Sequence, residues 1–137
     1  MLSVHTLTIS TTKKNELIDI TPQIEEIVRK SKIREGICVI YTPHATTAII
    51  INENYDPHVM DDVLDALHKL IPEGKWQHDR IDNNAAAHIK SAIIGPSQTI
   101  PIKDSKLMLG QWQAIMFADF DGPRNKRQII ITLQRMM

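Results

Sequence analysis

Thr42-Pro43-His44-Ala45-Thr46-Thr47-Ala48-Ile49-Ile50-Ile51-Asn52-Glu53 is the stretch on which the fold turns. A turn signal, Thr42-Pro43, is followed at once by a histidine, then two hydroxyls and an apolar β-branched run. Thr46 to Ile51 has the composition of a buried strand, so the polar groups fall at its two ends, where a strand leaves the core. Just upstream, Gly36 to Tyr41 reads as another strand, and only the residues around Pro43-His44 separate the two. The pair is either a hairpin or two strands joined by a wide loop.

On the N-terminal side, Leu2, Val4, Leu7 and Ile9 alternate with Ser3, His5, Thr8 and Ser10, a strand pattern with a slip near Thr6. Glu16 to Ile20 offers a second short strand. Thr21-Pro22 opens a helix, with Thr21 as its cap, Pro22 at the first helical position and Ile24, Ile27 and Val28 at helical spacing. Beyond Glu53, a helix from about Pro57 to Leu70 carries the stripe Val59, Val63, Leu64, Leu67 and Ile71, with Asp56 as its cap. Lys75 to Asn83 is polar and irregular. Asn84 to Ile94 is an Ala-rich helix stopped by Gly95-Pro96. Gln98 to Ile102 contains Pro101 and reads as an edge or bulged strand. Strands are expected from Leu107 to Leu109, within Gln111 to Phe120 and from Gln128 to Gln134, the last two parted by the turn Asp121-Gly122-Pro123. Many strands with two or three helices predict an α+β fold, a largely antiparallel sheet or sandwich, in one domain over residues 1–137.

The composition narrows the function classes. Hydrophobic residues make up 42% and charged residues 23%, an ordinary globular balance, while aromatics at 4% leave the core to Ile, Leu, Val, Met and Ala. Lys and Arg (16) equal Asp and Glu (16), which argues against a general nucleic-acid binder and leaves self-association open. No apolar run approaches the ~20 residues of a membrane helix, and Met1-Leu2-Ser3-Val4-His5 has no basic leader pattern, so a cytoplasmic setting is expected. Cys38, the only cysteine, lies in the apolar run Ile37-Cys38-Val39-Ile40 and reads as a buried, inert thiol. A Walker-type Gly-Lys loop, GxGxxG and GxSxG are all absent.

Of the six histidines, His44, His78 and His88 hold positions that suit a site. His44 stands at a strand edge, and His78 sits beside Asp79 in a polar stretch. His88 shares a helix face with Asn84 and Ser91. Three imidazoles converging from three elements suit a zinc-like ion with an open fourth position, with Glu53 as orienter or proton carrier. The plainer reading of scattered histidines is surface or capping residues. Around the turn, Arg124 and Arg127 can grip a phosphate, and Asp119 and Asp121 can hold a divalent ion; the plainer reading is a charged hairpin end. Ser97 with Gly95 can donate to an anion, and Gly95-Pro96-Ser97 is equally an ordinary helix stop. Trp112 is either core or a surface on which a ligand ring stacks.

Pro43-His44-Ala45-Thr46-Thr47, Asn52-Glu53, Asp56-Pro57 and Asp62 together resemble the first motif block of the YjbQ-type family. Trp76-Gln77-His78-Asp79, Asn84 through Ser91, and Gly95-Pro96-Ser97 resemble its later blocks. So do Leu109-Gly110-Gln111-Trp112-Gln113 and Asp119 through Arg127, in the same order over nearly the whole chain. The resemblance implies an α+β protein assembling as a homotrimer, with a polar site near subunit contacts and histidines able to hold a divalent metal ion, zinc-like or magnesium. It further implies a secondary thiamine-phosphate synthase activity, joining a pyrimidine diphosphate to a thiazole phosphate with release of pyrophosphate. By position, His44, His78 and His88 match the family's histidines, Glu53 its carboxylate, and Arg124 and Arg127 its terminal basic pair. Ser97, Trp112 and Asp119 are expected to meet the small phosphorylated substrate. Ala45, Ala86, Ser105 and Gln111 depart from the usual residues, which touches substrate selection more than the site.

Overall fold

The computed structural model describes residues 1–136. The elements follow in the order β1 (Leu2–Ile9), β2 (Glu16–Asp19), α1 (Thr21–Ser31), β3 (Gly36–Tyr41), β4 (Thr47–Glu53), α2 (Pro57–Leu70), α3 (Ala85–Ile94), β5 (Ser97–Lys103), β6 (Lys106–Leu107), β7 (Gln113–Asp119) and β8 (Arg127–Arg135). A short 3-10 turn, Gln77–Arg80, precedes α3 inside the stretch expected to be irregular. The strands form a five-stranded sheet ordered β1-β8-β3-β5-β6 and a three-stranded sheet ordered β2-β7-β4. Every pairing is antiparallel, so the α+β class expected from the residues is the class observed.

β3 and β4 lie in different sheets, so the stretch around His44 is no hairpin; it carries the chain from one sheet to the other. Hydroxyls hold this crossing. Thr42 and Thr47 share a hydrogen bond of 2.6 Å between their Oγ1 atoms, and Thr47 Oγ1 also donates to the His44 carbonyl. The Thr42 N–H donates to the Pro96 carbonyl at 2.9 Å, which ties the crossing to the end of α3.

The two sheets face each other across one core. Cys38, Ile40, Ile100, Ile129, Ile131 and Leu133 project from the larger sheet onto Ile49, Ile115 and Phe117 of the smaller, and Ile24 and Val28 of α1 join them. Burying one such Phe or Ile side chain is worth about 1.5–3 kcal/mol. The smaller sheet is covered on its other face too. Ala48 and Ala118 meet Ala87 of α3, with Leu64 and Leu67 of α2 packed alongside. From Ile115 onward β7 is covered on both faces, and both alternating sets from Ile115 to Ala118 are buried and apolar.

Element boundaries moved where a side chain found a tertiary partner. Thr21, expected to cap α1, is its first residue; its hydroxyl accepts the Ile115 N–H at 2.8 Å and pins the helix to β7. Asp56 caps α2 as expected, accepting the His58 N–H at 2.9 Å. The strand expected from Leu107 shortens to Lys106–Leu107, which covers only Ile102 and Lys103 of β5. Pro101 thus lies just outside that pairing, where its carbonyl still accepts the Met108 N–H at 2.9 Å.

The outer face of the larger sheet has no charge in its three central rows; Lys103 and Lys106 stand at its edge. Its three central rows read Leu2-Gln134-Ile37-Pro101, Val4-Thr132-Val39-Thr99 and Thr6-Ile130-Tyr41-Ser97. Leu2, Val4 and Tyr41 are exposed there. Among the described residues no helix is long and apolar enough to cross a membrane.

Candidate functional site

The crossing between the sheets delivers His44 to a groove. The groove encloses about 560 Å³ and is lined by Tyr41, Thr42, Pro43, His44 and Ala45 on one side and by His88, Ser91, Ala92 and Pro96 on the other. A second hollow of about 510 Å³, between α1 and the β5–β6 turn, gathers none of the site residues. His44 Nε2 accepts the Gln128 backbone N–H at 2.9 Å. An imidazole accepting at Nε2 carries its proton on Nδ1, so the neutral ring is the bonded form. Partial burial, helped by the nearby Arg127 charge and opposed by Asp119, lowers the His44 pKa and favours that same form.

Behind His88 stands His78. The two rings meet edge to face, with centroids 4.9 Å apart. Asp79 makes this pairing. Its carboxylate accepts the Trp76 N–H and the Ala85 N–H, both at 3.0 Å, so it closes the 3-10 turn and starts α3 at once. These backbone donors, Trp76 first, hold the Asp79 pKa below its usual value. One residue before α3, Asn84 donates from Nδ2 to Asp121 Oδ2 at 2.9 Å, and Arg124 pairs with the same oxygen at 3.3 Å. The exposed guanidinium of Arg124 is thereby linked to a residue one helical turn from His88. Two buried atoms in this corner, His78 Nε2 and Asn84 Oδ1, have no hydrogen-bond partner among the described residues. Asp82 Oδ2 lies 3.7 Å from His78 Nε2, beyond hydrogen-bond length.

Arg127 and Asp119 lie below the groove, inside the protein. Asp119 is fully buried and accepts from Arg127 Nη2 at 2.8 Å, Arg127 Nε at 3.1 Å, the Asp121 N–H at 3.0 Å and Thr11 Oγ1 at 2.8 Å. Arg127 also donates to Thr46 Oγ1 at 3.1 Å. Burial alone would raise the Asp119 pKa, but the bonds from Arg127, Asp121 and Thr11 outweigh it and the net shift is downward. This ion pair clamps the start of β8 to the end of β7 and to the crossing strand. Arg127 Nε and Nη2 and both Asp119 oxygens are thus engaged inside the protein.

Glu53 and Trp112 come together, at the opposite end of the β4–β7 ladder. Thr47 pairs with Asp119 at one end and Glu53 with Gln113 at the other, roughly 20 Å away at about 3.3 Å per residue. Trp112 is exposed and packs edge-on against Tyr55 with centroids 5.4 Å apart. Ser97 lies opposite Tyr41 at the groove's rim, on the outer face of the larger sheet.

Thr11, Thr46 and the Gln128 N–H are joined to Asp119, Arg127 and His44 only by the fold. Tyr55 gave no signal, lying far along the chain from Trp112. Asp79 left a trace, since an acidic residue three positions after Trp76 fits a capping box. Lys90 of α3 is buried; its amine donates to Asn15 Oδ1 at 3.2 Å and lies 5.6 Å from the Phe120 ring centroid, a placement that a lysine in an Ala-rich helix does not announce.

The family model described as UPF0047 protein YjbQ-like matches residues 5–136. The chain belongs to this family. A UPF0047 protein of Methanocaldococcus jannaschii is 52% identical over 118 residues, covering 86% of this chain and 85% of that one. A UPF0047 protein of Archaeoglobus fulgidus is 46% identical over 128 residues, covering 93% and 98%. In solved structures, a YbjQ-like protein of unknown function from Sulfolobus solfataricus superposes with a TM-score of 0.96 at 36% identity, covering 99% of both chains. An uncharacterised YjbQ/UPF0047 protein of Clostridium acetobutylicum gives 0.90 at 39% identity, covering 95% of this chain and 99% of that one.

Within this YjbQ-like chain, the donors suit a metal in part. His78 and His88 bring two imidazoles edge to face, and His78 Nε2 makes no hydrogen bond, with Asp82 Oδ2 3.7 Å away. His44 shares the groove with His88 but has given its Nε2 lone pair to Gln128. Among the described residues no three His, Cys, Asp or Glu side chains are grouped to hold an ion.

Proposed function

We propose that this YjbQ-like protein is a transferase resembling secondary thiamine-phosphate synthase, acting on small phosphorylated heterocycles. The observation that carries the reading is the meeting of His44 and His88 on one groove, with His78 against His88 and the Asn84–Asp121–Arg124 chain beside it. In the reaction, a thiazole nitrogen bonds to a pyrimidine methylene carbon as the carbon–oxygen bond to diphosphate breaks. The barrier falls when the leaving diphosphate is met by fixed positive charge and the two rings are held in line. Arg124 is the guanidinium available for that, because Arg127 is committed to Asp119. A divalent ion on His78 and His88, zinc-like by its imidazole ligands or magnesium, would neutralise further charge on the leaving group. His44, neutral with its proton on Nδ1, would donate to a substrate acceptor. The working form is read as a homotrimer that uses the uncharged rows of the larger sheet, in a reducing cytoplasmic setting that suits one buried thiol.

The test is incubation with hydroxymethylpyrimidine diphosphate and thiazole phosphate, with zinc or magnesium, and chromatographic detection of thiamine phosphate. Product from the wild type, reduced at least ~100-fold by Arg124→Ala or His88→Ala, is the expected result. No product above a metal-only control overturns the reaction.

A second reading is favoured by the distance of Glu53 from the imidazoles: a non-catalytic trimer that binds a metal or a small anion. Thermal stabilisation by zinc or pyrophosphate with no turnover would select it.

A further inference from the structure

Ser10 to Asn15, between β1 and β2, form a strap against the turn that carries Arg124. Ser10 Oγ donates to the Asn125 carbonyl at 2.8 Å, and the Gly122 N–H donates to the Lys14 carbonyl at 3.0 Å. Between these two bonds stands Thr11, only 4% exposed. Its N–H donates to the Arg124 carbonyl at 2.8 Å, and its Oγ1 accepts the Arg124 N–H at 2.9 Å. Both main-chain polar groups of Arg124 thus end on one residue, 113 positions away in the chain. The strap is itself tied to α3, where the buried Lys90 amine donates to Asn15 Oδ1.

The Thr11 hydroxyl is used in both of its roles. Its proton goes to Asp119 Oδ2 at 2.8 Å while its oxygen takes the Arg124 N–H, so a valine of the same shape can supply neither bond. Gly122 shows how closely the turn lies on the strap: a Cβ there would stand 2.8 Å from Thr11 Oγ1 and would also strike the Lys13 carbonyl. Thr11 joins two chains of bonds. On one side Asp119 and Arg127 lead to Thr46 in the crossing between the sheets. On the other, Arg124 leads through Asp121 Oδ2 to Asn84, one residue before α3. Among the described residues the Arg124 guanidinium pairs only with Asp121, at 3.3 Å, and stays half exposed. Its side chain is therefore free to turn to an anion while its main chain is fixed, and a group fixed in advance loses less freedom on binding.

We propose that Thr11 is a positioning residue for Arg124: its hydroxyl and N–H fix the Arg124 main chain, so that the guanidinium is presented to the diphosphate group of a ligand. The assignment rests on the reading of Arg124 as the partner of the leaving diphosphate. It adds a residue from the N-terminal part of the chain that touches no ligand and acts only through the arginine.

Titration of the full-length protein with inorganic pyrophosphate in a calorimeter tests it. Thr11→Val is expected to weaken binding ~10-fold, and Thr11→Ser, which keeps the hydroxyl, to bind as the wild type does. In an Arg124→Ala background Thr11→Val should have no further effect. An equal loss in Thr11→Ser, or a further loss in the Arg124→Ala background, overturns the proposal, because the effect would then pass through neither the hydroxyl nor Arg124. Amide hydrogen exchange followed by NMR needs no ligand. The Arg124 N–H should exchange at least ~10-fold faster in Thr11→Val, while the Ile20 N–H, bonded to the Ile115 carbonyl at 2.9 Å, keeps its wild-type rate. Acceleration at both amides, or at neither, overturns the proposal. If Thr11→Val does not fold, Gly122→Ala takes its place: it keeps every hydrogen-bonding group, pushes the turn off the strap and should release the Arg124 N–H, and an unchanged rate there overturns the proposal too. A wild type that binds no pyrophosphate, with the Arg124 amide released in Thr11→Val, removes Arg124 as the anion's partner and leaves the fixing of its main chain by Thr11 in place. Equal pyrophosphate binding by wild type and Thr11→Val does the reverse.

Discussion

Asp119 and Arg127 show how a charged pair is decided by its surroundings rather than its motif. Removing one member leaves the other charge buried without compensation, so Asp119→Ala or Arg127→Met should each cost about 3–5 kcal/mol in denaturant unfolding. Arg124→Ala, at an exposed pair with Asp121, should cost no more than about 1 kcal/mol. Equal losses at the two arginines would contradict the division of labour drawn between them. His44 makes a second residue-scale prediction. Its folded pKa lies below the ordinary 6.5, because burial and Arg127 disfavour the imidazolium. Below about pH 6.5 the unfolded chain therefore binds the proton first, and its contribution to stability, complete above that value, drains away as pH falls toward the folded pKa. Urea unfolding between pH 5 and 8 should show this slope in the wild type and lose part of it in His44→Ala. An NMR titration placing His44 above 6.5 would refute it. Neither effect was legible in the residues alone, since Gln128 and Thr46 reach these groups across long stretches of chain.

Among the elements, α3 shows how closely the site depends on packing. Ala48, Ala87 and Ala118 are buried at the contact of this helix with the smaller sheet, and their small side chains let the two approach closely. Ala118→Leu should overpack that contact, cost about 1–3 kcal/mol and push α3 outward, carrying His88 away from His44. Loss of ligand-induced stabilisation with the fold retained by circular dichroism would report it; unchanged ligand response would show that the spacing does not matter. The helices were readable because an amphipathic stripe such as Val59, Val63, Leu64 and Leu67 declares its period. Strand partners were not. The crossing at Thr42–Thr46 and a hairpin have the same local pattern, and only the competition between two sheets separates them.

At the scale of the molecule, three uncharged rows on the larger sheet are the feature that a lone chain explains least. Extended apolar faces mark contact sites. Val39→Asp, at the centre of the middle row, should turn the assembled protein into a folded monomer, seen as an unchanged circular dichroism spectrum with a lower mass by sedimentation. An unchanged mass would exclude this face from the interface.

From its residues the chain determined the α+β class, the two amphipathic helices, the buried strand after His44 and the family, because periodicity, capping and motif order are local properties. The tertiary structure alone decided which polar residues remain free. It spent Arg127 on Asp119, gave the His44 lone pair to a backbone N–H, joined His78 to His88 through Asp79, and sent Glu53 to the far end of β4. Hydrogen-bonding groups are claimed by whichever partner the fold brings within about 3 Å, and no spacing along the chain encodes that choice.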